Sequence, residues 1–257
     1  MNRDLTRQVS VLVLAVVAIF GAAWGAGAFG GTPTSEAADG ALSASATPVA
    51  PGTTAFSIWS VIYLGLVAYA VWQALPAQRE SARQRSMGWL AAVSMLLNAG
   101  WLLVVQAGSV WASVVVMAAL LTTLVMILER MRATPSSSLV ETVLVDGTFG
   151  LYLGWVTVAA IANVTAALKT AEPGDLGLGA TGWSVVLLVA AAVIAVGFAV
   201  HTGGRLTINL AMAWGLAWIA VARWEGPLED STVAPVAAAA AAVALLSAVV
   251  VRLRPRA

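Results

Sequence analysis

The chain has 257 residues, 60% of them hydrophobic and 10% charged, with a net charge of +1 and no cysteine. A soluble globule of that composition would carry apolar patches over its whole surface, so lipid is the expected solvent. The missing cysteines exclude a disulfide framework, a thiolate metal site and a cysteine nucleophile.

A spanning helix needs roughly 20 mostly apolar residues, and such stretches lie at 9–30, 54–75, 87–106, 110–128, 142–166, 182–200, 206–223 and 233–251. Each is a continuous run rather than the alternating pattern of a transmembrane strand. The sequence therefore predicts an all-α integral membrane protein of about eight transmembrane helices. The first span follows Arg3 and Arg7 and closes on the small-residue stretch Gly21 to Gly27, a pattern shared with cleaved signal peptides. Its run of about 22 residues is long for one and favours a retained helix. Residues 30–53, rich in Gly, Ala, Ser, Thr and Pro and free of basic residues, form the longest loop, either a linker or a lid. The last span, Pro235 to Val251, is nearly all Ala, Val and Leu and reads as close helix packing.

With both termini cytoplasmic, 11 of the 13 basic residues fall inside and only Lys169 and Arg223 outside. That bias sets the orientation. It also accounts for the small arginine clusters without any nucleic acid. The acidic Glu36, Asp39, Glu172, Asp175, Glu225, Glu229 and Asp230 lean to the outer loops.

The chain holds 11 tryptophans. Trp72 and Trp89 near the inner boundary, and Trp111, Trp183 and Trp224 near the outer one, suit an interfacial aromatic belt. Trp59, Trp101, Trp155, Trp214 and Trp218 lie deeper and need another reason. In the fifth span Tyr152, Trp155, Ala159 and Asn163 follow steps of 3, 4 and 4, which keeps them within about 80° of one face. The third span repeats the idea with Ser94, Asn98 and Trp101. Such walls suit a large, flat, mostly apolar ligand held by a few polar groups. Interhelical packing, in which Asn acts as glue, is the competing reading.

Asp146 is the carboxylate well inside a predicted span, and an intramembrane ionisable group is a functional hypothesis by default. It lies about 120° from Tyr152 around the helix, so it is expected to face the later helices or a proton path, with a hydroxyl or backbone partner as the plain alternative. His201, the only histidine, stands in the turn before Arg205 and is a poor metal candidate. Arg205 is expected to reach for lipid headgroups.

The run Tyr152-Leu153-Gly154-Trp155 continuing to Asn163 resembles the fifth-helix signature of the tryptophan-rich sensory protein, or translocator protein, family. Leu97-Asn98-Ala99-Gly100-Trp101 is similar to that family's Leu-Asn-x-x-Trp, and Phe56, Trp59, Tyr63 and Val71-Trp72 to its second-helix run. The matches follow the family order across 54–166. The chain departs from it where Pro48 to Thr54 replace a Trp and paired prolines, where Tyr63 and Trp72 stand about two residues too close, and where Gly150 and Leu151 replace a Pro. First-loop ligand contacts are therefore not carried over.

The resemblance implies a five-helix bundle over 1–168, with a pocket opening toward the loop 30–53, and three additional helices over 169–257 about which it says nothing. It implies a bound porphyrin, other tetrapyrrole or sterol-like lipid. Trp59, Asn98, Trp101, Tyr152, Trp155 and Asn163 would line the site. No cofactor is required; porphyrin or haem would enter as a ligand. The chain reads as a binder, sensor or transporter rather than an enzyme, in a bacterial plasma membrane. The alternatives are a proton-coupled transporter using Asp146, and an accessory subunit of a larger membrane complex; the expected partners are the lipid bilayer and a homodimer mate or a larger membrane complex.

Overall fold

The computed structural model describes residues 3–25, 27–171 and 177–254. Among these residues the fold is helical with no strand, and eight helices are long and apolar enough to cross a membrane. They are α1 (Arg3–Gly25), α2 (Ile58–Ala74, entered through a 3-10 turn over Thr53–Ser57), α3 (Ala82–Gln106), α4 (Val110–Ala133), α5 (Leu139–Ala171), α6 (Gly179–Thr202), α7 (Leu206–Trp224) and α8 (Val233–Leu253).

Every predicted span has its helix, but the ends move. The first runs from Arg3 to Gly25, not 9–30, because its polar residues have partners inside the protein. Arg7 donates to the carbonyls of Gln78 (3.3 Å) and Arg79 (2.8 Å), and Gln8 Nε2 to that of Gln73 (2.7 Å). The helix stops before Gly27 and Gly30, which take φ of 92° and 82°, a region that glycine enters without a steric penalty. The third begins at Ala82 because Ser81 caps it, its hydroxyl accepting from Gln84 N.

The fifth helix carries a feature that constant periodicity conceals. Over Thr142–Gly147 it is π-helical, a wider turn that shifts the facing of everything before Thr148 relative to everything after. Angles counted at 100° per residue across this segment do not hold.

Helix α1 packs on α2 and α3, α3 on α4, α4 on α5, α5 on α7, and α7 and α6 on α8. The α5–α7 seam joins the first five helices to the last three. Gly150 and Gly154 stand four apart on α5, and a Cβ at either position would overlap Thr207 or the Ile208 carbonyl of α7. This is the small-residue contact that lets membrane helices approach closely. In α8 the buried residues are Val233 and alanines, with Asn209 Nδ2 of α7 donating to the Ala195 and Ala244 carbonyls (2.9 Å each) and so tying three helices together.

Both described ends of the chain lie at one end of the bundle. Ten arginines lie at that end and Lys169 and Arg223 at the other. Arg256, Glu172 and Asp175, which the sequence assigned to sides, lie outside the described residues.

Candidate ligand-binding site

A cavity of about 460 Å³ lies between α1, α2 and α3 under the loop that joins α1 to α2, within the 300–1,000 Å³ typical of small-molecule sites. Small residues of α1, Ala22, Ala23 and Gly25, form one wall and leave the space open. Phe56, Trp59 and Tyr63 form the second, at i, i+3 and i+7 along one helical face. Asn98, Trp101 and Leu102 of α3 close the third.

Of the residues expected to line a ligand site, Trp59, Asn98 and Trp101 line this cavity, whereas Tyr152, Trp155 and Asn163 stand one layer behind. The α5 face is buried as its spacing predicted, and it grips the lining from the rear. Trp155 meets Phe56 and Trp59 edge-on (centroids 5.6 and 6.3 Å), and Tyr152 meets Trp59 edge-on at 5.8 Å. Trp59 in turn stacks on Tyr63 at 5.2 Å. Offset and edge arrangements of this kind are the favoured ones, so the rings hold each other in place.

The amides and hydroxyls are paired in the same layered way, whereas the Trp155 indole N–H has no acceptor among the described residues. Asn163 accepts the indole N–H of Trp101 (2.9 Å) and donates to Ser113 Oγ of α4 (2.8 Å), which donates to the Val110 carbonyl (2.6 Å). Tyr152 donates to the Ser94 carbonyl (3.2 Å). Asn98 Nδ2 donates to the Tyr63 hydroxyl (2.7 Å). The hydroxyl is thereby used as an acceptor, and among the described residues its own proton has no acceptor.

The long loop is a lid. Pro33, Thr34, Leu42, Ala44 and Thr53 all face the cavity. Its near end is tied to α1 and α3, through Thr34 N to the Gly25 carbonyl (2.9 Å) and Gln106 Nε2 to the Thr32 carbonyl (2.5 Å). Its far part is tied to the rest of the bundle. Lys169 donates to the Ala46 carbonyl (2.6 Å), Arg223 to those of Ala44 (2.6 Å) and Thr47 (3.3 Å), Gly52 N to that of Trp218 (3.2 Å), and Trp214 Nε1 to that of Ala55 (2.9 Å). The deep Trp214 and Trp218, edge-on to each other at 5.7 Å, thus have a reason to be there: they meet the lid.

Asp146 lies at the opposite end, away from the cavity. Its Oδ1 accepts from Arg83 (2.8 Å) and from Arg205, and Arg83 also stands 3.5 Å from Glu141. The expected hydroxyl or backbone partner is replaced by two guanidiniums, and Arg205 turns inward rather than to headgroups, donating also to the Met131 carbonyl (3.3 Å). The extra helices do supply a partner for Asp146, as one of its expected readings had it. His201 Nε2 sits 2.6 Å from Glu129 Oε1 at the exposed surface.

The lid contacts of Arg223 and Lys169 were not singled out from sequence. Their signal was present, since a basic residue at the end that the charge bias leaves poor in them needs a local partner. A family model described as TSPO-like protein matches residues 7–251, running through all eight helices and across the boundary drawn at 168/169. No curated protein and no solved structure matches the chain.

Proposed function

The chain belongs to the TSPO-like protein family, and on that premise we propose that it binds a flat, mostly apolar molecule in the cavity beneath the lid. The family supports a membrane protein that binds or transports a ligand. The finer reading rests on one observation: among the described residues no charged side chain lines the cavity, whose walls are aromatic and apolar residues with Asn98 and a few hydroxyls. A desolvated carboxylate would find no cation there, so an uncharged porphyrin or sterol-like molecule fits better than a charged one. The proton of Tyr63 offers it one hydrogen bond, which asks for an acceptor on the ligand.

The ligand is expected to enter at the end carrying Lys169 and Arg223. With the arginine-rich end in the cytoplasm, that is the outer side. Mesoporphyrin dimethyl ester added to purified protein should quench tryptophan fluorescence at micromolar concentration, and the diacid should bind more weakly. Quenching unchanged by Trp155→Ala and Asn163→Ala together would move the ligand elsewhere, because those residues fix Trp59 and Trp101. The proton-coupled alternative is less well supported, since Asp146 lies away from the cavity and is engaged by Arg83 and Arg205.

A further inference from the structure

Two basic side chains stand at the lid end of the bundle among the described residues, and both are spent on the same four-residue stretch of main chain. Lys169, in the last turn of α5, takes the carbonyl of Ala46; Arg223, in the last turn of α7, takes those of Ala44 and Thr47. Arg223 is 1% exposed, and its Nε has no acceptor among the described residues. Among the described residues no carboxylate lies within ion-pair distance of its guanidinium, and Asp230 acts on it only through space. A buried cation held only by main-chain carbonyls is unusual, because burial without a counter-ion is costly unless the hydrogen bonds replace hydration. The carbonyls it holds belong to the lid, and Ala44 is itself a lining residue.

We propose that Arg223 is a positioning residue of the ligand site, latching the lid from outside the five-helix bundle, with Lys169 as a second, weaker latch. This gives α6–α8 a purpose: they carry the latch and hold it at fixed height. Two links support the assignment. Trp218 and Trp214, five and nine residues before Arg223 on α7, bond to Gly52 and Ala55 at the far end of the same lid. In addition, α7 is anchored to α5 through the glycine seam, so the latch cannot drift from the cavity. The guanidinium spans two carbonyls with separate N–H groups, a geometry that lysine, with a single point charge, does not reproduce.

The test uses the full chain in detergent or nanodiscs. In Arg223→Gln, amide hydrogen exchange over residues 41–52 should accelerate on the order of tenfold or more, as expected for losing charge-assisted hydrogen bonds that hold a segment closed, while α2, α3 and α4 keep their protection. Arg223→Lys should recover part of it, and Lys169→Gln should show a smaller effect on the same residues. Unchanged exchange at 41–52 in Arg223→Gln would overturn the latch. So would acceleration spread equally over α2 to α4 in both Gln variants, which is the signature of a merely structural residue. The ligand arm rests on the binding reading: mesoporphyrin dimethyl ester should both associate with and dissociate from Arg223→Gln faster than the wild type. If the wild-type protein binds no such probe, that reading fails while the exchange result still decides the latch.

Discussion

In α3 the residues turned inward include Arg83, Gln84, Ser94, Asn98 and Trp101, whereas in α8 they are Val233 and six alanines. Lipid is as apolar as leucine, so neither set is driven inward by the hydrophobic effect; packing and hydrogen bonds hold both. The two regions differ in what their side chains do with the space between helices. Rings and paired amides on α2 and α3 face small residues of α1 at one end and leave a cavity. Alanines bring α6, α7 and α8 into backbone contact, and Asn209 supplies the internal polar tie. The first region is built around a void and the second around its absence, which is what a site and its mounting require.

The largest effect should come where the two regions meet at the arginine-rich end. Asp146→Ala leaves Arg83, 5% exposed, and Arg205 without their shared partner, and breaking a buried pair costs about 3–5 kcal/mol. Denaturant unfolding in detergent should register it, and a near-zero change would mean that the ion cluster does not join the halves. Next, Gly154→Ala forces a methyl against the Ile208 carbonyl, and overpacking of this kind costs roughly 1–3 kcal/mol. Its tell-tale is a lid that loosens along with the seam.

A smaller contribution comes from Asp230, which accepts the amides of Thr232 and Val233 at the start of α8 (2.9 Å each). Partial burial works to raise its pKa, but bonds from Thr181 and these two amides prevail and hold the carboxyl below its ordinary value of 3.8. A folded value below the unfolded one gives stability that is present above 3.8 and is lost as pH falls through the lower, folded value. The gap in melting temperature between wild type and Asp230→Asn should therefore be open near neutrality and close in acid. The smallest effects separate the regions most cleanly. Asn209→Ala should lower stability by about 0.6 kcal/mol, up to roughly 1.7, and leave probe affinity alone. Tyr63→Phe should weaken the probe by about 0.5–1.5 kcal/mol and lower stability as well, because it takes the acceptor from the buried Asn98 amide. A loss of probe affinity in Asn209→Ala would mean that cavity and mounting are one unit.

Much of the fold was legible because lipid imposes a simple rule, and eight apolar runs give eight helices. The ends were not, since Arg7 and Gln8 look like a solvated tail until the chain after α2 arrives to bond them. The aromatic face of α5 was readable from its spacing, which stays α-helical after Thr148. That this face backs the cavity instead of lining it was not, because periodicity assigns a face and says nothing of which neighbour stands between it and the void. The partners of Asp146 were hidden for a different reason: the π segment changes its bearing, and Arg83 and Arg205 are 63 and 59 residues away.

The grip on the lid has a further consequence. Arg223 and Lys169 take hold of carbonyl oxygens, which every residue possesses, and Gly52 and Ala55 are engaged through their main chain as well. A segment held in this manner is fastened by its main chain, with Val49, buried in the core, as its side-chain anchor. Residues 41–51, Ala-Leu-Ser-Ala-Ser-Ala-Thr-Pro-Val-Ala-Pro, read as low-complexity filler, yet they occupy a defined place. Selection is then free to redraw the ceiling of the cavity at positions such as Leu42 and Ala44, while the fastening that carries it stays the same.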